Sequence, residues 1–250
     1  SGFNQVLIKA VGGKWKSYRD NLPVNGALPF LLPYEDDEVI QPVTNAWAQN
    51  NGWCWQIPTK NRRGCGYVFC DSFVTPDQAH AELEQTIGRK VEPIRHIKFD
   101  SGRQETLWIK NVLSIGLCAA FAEPLEATSI HTTIMQLKHF VYACLGQTQQ
   151  ETCNDGTVDD YNLKNGHLYD TMKDFLVAHY TCGRKDTEFW KYIDSGATST
   201  DFVRSIHEVC KHRVPNSTLF PRQEGSAGWP LWSYVLAGTG ALTSEVAEKE

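Results

Sequence analysis

Ile115-Gly116-Leu117-Cys118-Ala119-Ala120-Phe121-Ala122-Glu123-Pro124-Leu125-Glu126-Ala127-Thr128-Ser129-Ile130 is the stretch on which the reading of this chain turns. A short apolar run ends in small residues, and Pro124 then disfavours helical geometry at the residue before it, forcing an extended turn. Past the turn, Ile130, Ile134, Leu137, Phe140, Val141 and Cys144 recur at helical spacing, and Gly146 can end the helix. The pattern predicts a strand, a tight apolar turn carrying two carboxylates, and a buried helix N-terminus at Ser129 with a hydroxyl on each side of its start. Such a terminus presents unpaired N–H groups and a partial positive charge, which suit a small anion or the electron-rich edge of a flavin. An ordinary helix capped by Thr128 fits the same residues equally well.

Outward from this stretch the chain reads as α+β. On the N-terminal side, residues 1–24 form a short helix-and-turn pattern, and Val24–Phe30 enters a strand. Val39–Ala48 alternates as a second strand, and Asn50-Asn51-Gly52 turns it into Trp53-Cys54-Trp55-Gln56-Ile57-Pro58, with Trp53, Trp55 and Ile57 on one face. Arg62–Gly66 turns again into Tyr67–Cys70, completing an antiparallel meander. Thr75-Pro76-Asp77-Gln78 starts a helix with proline at its first position, running to Gly88. Ile94–Phe99 and Gln104–Trp108 are expected to pair as strands. Beyond Gly146, Gln147–Tyr161 is polar and loop-like, and Leu168–Tyr180 and Phe202–Lys211 are helical, so the last third is mostly helix.

The 250 residues carry a net charge of -5, which attracts neither nucleic-acid phosphates nor anionic lipids. No apolar run approaches the roughly 20 residues that span a bilayer, and no signal peptide opens the chain. The eight cysteines stand singly, without zinc spacing, and several lie in apolar runs, so free thiols and a cytoplasmic location are expected. His207 and His212 sit on a charged stretch better read as a solvated face than as a metal site. No metal is expected. The opening Ser1-Gly2-Phe3 reads as the middle of a longer chain.

Three spaced motifs carry a resemblance. They are Gly52-Trp53-Cys54-Trp55-Gln56-Ile57-Pro58, the segment Phe121–Ile130, and Asp174-Phe175-Leu176-Val177-Ala178-His179-Tyr180 followed by Arg184, Asp186-Thr187 and Phe189-Trp190. In this order they resemble the flavin-dependent halogenases of the tryptophan-halogenase type, over nearly the whole chain. The resemblance implies an antiparallel-sheet part of a flavin-monooxygenase-like module over residues 1–145, followed by a helical substrate-side region over 146–250. It implies an enzyme that uses reduced FAD, oxygen and halide to make hypohalous acid for electrophilic halogenation of an aromatic small molecule, with FAD reduced by a separate flavin reductase. Glu126 is then the catalytic carboxylate, Thr128 and Ser129 hold the halide through backbone N–H groups, and Leu117 and Ile130 contact the flavin. Trp53 and Trp55 line the route beside the flavin and keep the organic substrate away from it; packing in the core is the other reading, and both can hold.

This sequence departs from the family pattern at two positions of that segment. Ala127 stands where the family has serine, and Ser129 where it has glycine, which matters if the backbone needs a positive φ there. The family's Gly-x-Gly-x-x-Gly turn and its catalytic lysine have no counterpart here, so the chain alone is expected to bind FAD poorly and not to halogenate. Trp229 and Trp232 can stack on an aromatic substrate or pack in the core. A hydroxylating flavin monooxygenase and a non-catalytic module of the same fold remain the rival readings.

Overall fold

The computed structural model describes residues 2–145, 155–218 and 227–249. Gly146, the polar stretch 147–154 and Gly225-Ser226 lie outside the described residues. In chain order the elements are α1 (Val6–Ala10), β1 (Trp15–Ser17), β2 (Gly26–Pro33), β3 (Asn45–Gln49), β4 (Gly52–Pro58), β5 (Arg62–Phe69), α2 (Pro76–Ile87), β6 (Ile97–Lys98), β7 (Gly102–Gln104), β8 (Trp108–Ile109), β9 (Val112–Leu113), β10 (Ala120–Phe121) and α3 (Thr128–His139). The path of α3 continues as a wider π-helical segment, Phe140–Leu145. Then follow α4 (Asp155–Tyr180), α5 (Glu188–Asp194), α6 (Asp201–Cys210), α7 (Trp229–Gly238) and α8 (Ser244–Ala247). The architecture is α+β with antiparallel pairing throughout the described strands. No helix among the described residues is long and apolar enough to cross a membrane.

Packing divides the chain into two compact units. One comprises Ser1–Leu22, Ser101–Gly183 and Thr198–Glu250, the other Pro23–Asp100 and Arg184–Ala197. The functional division expected between residues 145 and 146 falls inside the first of these.

The second unit is a five-stranded sheet in the order β3-β4-β5-β2-β6. Its strands alternate as a half-buried sheet requires, and one face, with Leu28, Phe30, Cys54, Cys65, Tyr67 and Phe69, packs on Ala79 and Leu83 of α2. Cys54 is wholly buried, and its desolvation pushes the thiol up to about 12, so it behaves as a small hydrophobe. Two expectations shift here. The strand starting at Val39 covers only Asn45–Gln49, and Arg62–Gly66 is strand rather than turn, because Thr59 accepts the chain's reversal by bonding Arg62 O through both its N–H and its hydroxyl. The motif residues Arg184–Trp190 fasten α5 to the β3–β4 hairpin. Trp190 Nε1 donates to Gln49 O at 2.6 Å, Thr187 Oγ1 to Asn50 O at 2.7 Å, and Arg184 lies over the Trp190 ring.

The first unit pairs β1, β7 and β10 in one small sheet and β8 with β9 in a hairpin. Ile94–Phe99 and Gln104–Trp108 therefore do not pair with each other: β6 joins β2, and β7 joins β1 and β10. The long helix α4 packs against α3, α6 and α7. Trp232 of α7 is buried against Phe175 and Phe202, which places it in the core, whereas Trp229 is exposed. Asp170 of α4 accepts hydrogen bonds from Arg103 and Tyr18 and pairs with Lys16, tying the helix to the small sheet.

Candidate active site

The turn ahead of α3 separates its two carboxylates. Glu123 is fully buried, and Tyr180 donates to its Oε2 at 2.7 Å. Three residues on, Glu126 leaves the interior with its side chain 46 % exposed. The backbone between them explains the difference. Leu125–Ala127 makes a single 3-10 turn in which Glu126 (φ 60°, ψ 2°) and Ala127 (φ 50°, ψ 33°) both adopt the left-handed conformation. For residues with a Cβ this costs about 1–2 kcal/mol each, and such strain persists only where the surroundings enforce it.

Helix α3 then begins at Thr128, one residue earlier than expected, with Ala127 as its cap residue and no side chain capping it. Thr128 is not a cap: it lies inside the first turn and is buried, and its carbonyl accepts from Thr132 Oγ1. Ser129 has no positive φ. The glycine that the family places there is not demanded by left-handed backbone in this chain, and serine is accommodated without strain.

The helix also faces the other way from its apolar pattern. Thr128, Thr132, Met135 and Gln136 are its buried side, while Ile130 is 72 %, Ile134 49 % and Leu137 44 % exposed. Polar contacts hold the buried side. Tyr169 of α4 donates to Gln136 Oε1 at 2.8 Å, and Gly116 N donates to the same oxygen at 3.3 Å. Burial raises the Tyr169 phenol above its ordinary value and keeps it a donor. Leu117, on the Gly116–Cys118 turn that packs against α3, is likewise exposed.

Glu126 has one side-chain partner that the sequence reading left without a role. His179, near the end of α4, places Nε2 3.0 Å from Glu126 Oε1. That hydrogen bond, reinforced by the imidazole's charge, holds the Glu126 carboxyl below the usual carboxylate range against a smaller upward push from burial. The signal available in the sequence was the position of His179 within the third motif. Nothing in local spacing joins residues 126 and 179.

The structure thus gathers Glu126, Thr128, Ser129 and Ile130 on one turn and helix start, with Leu117 on a neighbouring element. Trp53 and Trp55 belong to the other unit. Their rings lie 6.0 Å apart and tilted by 54°, on one face of β4 as expected. Trp55 lies across Gly66, where a Cβ would come within 2.1 Å of the indole, so only glycine fits opposite it. Trp53 is buried with no partner for its indole N–H among the described residues.

The family model described as tryptophan halogenase matches residues 1–249. The chain belongs to the tryptophan halogenase family. It is 34 % identical over 254 residues to the tryptophan 6-halogenase SttH of Streptomyces toxytricini, covering 97 % of this chain and 46 % of that protein. It is 33 % identical over 254 residues to the 7-chloro-L-tryptophan 6-halogenase KtzR of Kutzneria sp. (strain 744), covering 97 % and 47 %. Its fold is similar to that of Tar14, a tryptophan C-6 flavin-dependent halogenase (chlorinase) from taromycin biosynthesis, with a TM-score of 0.87, 32 % identity, and coverage of 97 % of this chain and 48 % of Tar14. The chain spans about half the length of each of these halogenases.

Proposed function

We propose that this chain carries the carboxylate and anion-binding side of a flavin-dependent halogenase site that acts on an aromatic small molecule. The observation that supports it most is the pair of consecutive left-handed residues, Glu126 and Ala127, at the uncapped start of α3. A helix start built for stability alone would carry a capping side chain and relaxed backbone. Here the strain turns one carboxylate outward and leaves the first N–H groups of α3 without a side-chain acceptor, which is the donor set a halide needs.

The residues present fit the groups the family implies. Thr128 and Ser129 would hold the halide through their backbone amides. Leu117 and Ile130, both open to the surface, would contact an apolar flavin ring. Reduced FAD, when bound, would reduce oxygen to the peroxide level, at which it oxidises halide to hypohalous acid, and a flavin reductase is the partner that renews it. Glu126, ionised at neutral pH, orients the halogenating agent and accepts the proton that the aromatic ring loses. Trp53 and Trp55 line the route beside the flavin, in a division of labour between a flavin side over 1–145 and a substrate side over 146–250.

The test is product formation by the full-length protein with a flavin reductase. Halide-dependent halogenated product is expected, and Glu126→Gln should lower it roughly 100-fold or more while changing flavin oxidation little. Equal loss of both activities would remove Glu126 from the chemistry, and halide-independent hydroxylation would make the protein a monooxygenase.

A further inference from the structure

Both ring nitrogens of His179 are committed, and their partners dictate its protonation. Nδ1 lies 2.9 Å from Phe175 O, a backbone carbonyl that can only accept, so Nδ1 carries a hydrogen and donates it. In a neutral imidazole the other nitrogen, Nε2, then holds a lone pair. That lone pair would face Glu126 Oε1 at 3.0 Å, oxygen against nitrogen with no hydrogen between them. One more proton must sit between the two groups. With the Glu126 carboxyl held below the usual carboxylate range, that proton resides on Nε2 and is donated to Oε1.

The ring cannot turn away easily from this arrangement. Its edge meets Phe175 at 4.9 Å between centroids, nearly perpendicular, and its side chain is only 17 % exposed. Other ionisable groups on the packed elements are engaged elsewhere or point outward. His207 of α6 lies 3.2 Å from Thr181 Oγ1, His139 of α3 bonds Asn165, and Lys173 and Asp174 of α4 pair with each other. His131 and Lys138 lie on the exposed side of α3, and α7 contributes no acid or base beyond the exposed Tyr234. Among the described residues, His179 and burial are what act on the ionisation of Glu126.

We infer that His179 is the positioning residue for Glu126: it holds one proton on the Oε1 side of the carboxylate and so leaves Oε2 as the oxygen that meets the substrate. This rests on the role proposed for Glu126. When the proton lost by the aromatic substrate is delivered to Oε2, the hydrogen facing Oε1 stays on Nε2, so the carboxyl never carries two hydrogens. At acid pH, once Glu126 takes up its own proton, it has no basicity to offer and activity falls.

The chain itself can be tested by NMR with 15N-labelled histidine. At pH 7 the His179 ring is expected to show both nitrogens protonated, and Glu126→Gln should replace that signature with a neutral ring protonated at Nδ1. A neutral or freely exchanging His179 in the unmodified chain overturns the inference. In the full-length protein, His179→Phe keeps the ring packing and removes the donor, and should lower halogenated product roughly 10- to 100-fold with flavin oxidation unchanged. His179→Gln restores a hydrogen-bond donor towards Glu126, and should recover most of the product. His179→Gln performing no better than His179→Phe, or His179→Phe matching the unmodified protein, overturns the inference. If Glu126→Gln is harmless, the role proposed for Glu126 fails as well; if it is severe while His179→Phe is silent, only the positioning role fails.

Discussion

The two twelve-residue helices α2 and α3 begin in opposite ways. At α2, Thr75 accepts from Gln78 N, the Gln78 side chain accepts from Thr75 N, Pro76 occupies the first position, and Gly88 closes the other end in a left-handed cap. Two of its apolar residues, Ala79 and Leu83, are fully buried. At α3 the cap residue is Ala127 and bonds nothing through its side chain, two strained residues precede the first turn, and Ile130, Ile134 and Leu137 face outward. Every local choice in α2 agrees with stability. In α3 the choices conflict, and conflict of this kind concentrates where a fold serves chemistry.

The first way to break the comparison is to truncate one apolar residue on each helix. Leu83→Ala should cost about 3 kcal/mol, because it leaves a cavity in a packed core. Ile134→Ala should change the stability of the chain by no more than about 0.5 kcal/mol, since half of that side chain already meets solvent. Urea unfolding of both variants measures this. Similar losses would mean that α3 buries its apolar side after all.

The contrast also shows what was legible in the residues and what was not. The Thr75-Pro76-Asp77-Gln78 start, the Asn50-Asn51-Gly52 hairpin and the shared face of Trp53, Trp55 and Ile57 were readable, because each is set by neighbours within a few positions. The helix at Thr128 was readable as a helix but not in orientation. Spacing reports which residues share a face, and it does not say whether that face meets the core. Ile130, Ile134 and Leu137 form the stripe, yet Gln136 and Thr132 took the inside because Tyr169 and backbone groups satisfy them there. The left-handed backbone at Glu126 and Ala127 had no residue signal, since neither is glycine or asparagine. The Glu126–His179 contact joins positions 53 residues apart and needs the tertiary fold. Of the candidate site, the turn that leads into α3 was legible, and the partner of the carboxylate was not.

A second contrast separates the units by how they answer to acid. The α2 unit rests on an apolar cluster, whereas α4, on which α3 packs, is tied down through Asp170. Burial pushes the Asp170 carboxyl up, but hydrogen bonds from Arg103 and Tyr18 together with the Arg103 charge outweigh it, leaving the group at about 2. A depressed carboxylate stabilises the fold above its unfolded value near 4, and that contribution is lost as pH falls from there towards 2. The loss should reach about 2 kcal/mol. Asp170→Asn should remove at least that much at pH 7, since it leaves the Arg103 guanidinium, 11 % exposed, without its counter-charge. The variant should also flatten the acid limb of a stability–pH curve; an unchanged limb would assign acid sensitivity to other groups.

The smallest expected effect is the most direct on the two helix starts. Thr75→Ala removes a cap and should cost about 1 kcal/mol. Ala127→Gly should go the other way. Glycine adopts φ near 50° without the Cβ clash, recovering about 1–2 kcal/mol, but its freer unfolded chain gives back about 0.5–1 kcal/mol. The net should be a stabilisation of roughly 0.5 kcal/mol, visible as a small rise in the urea midpoint with no change in slope. Opposite signs at the two caps are what the strain at α3 requires. If Ala127→Gly destabilises as Thr75→Ala does, the turn before α3 is not strained, and the outward carboxylate of Glu126 needs another cause.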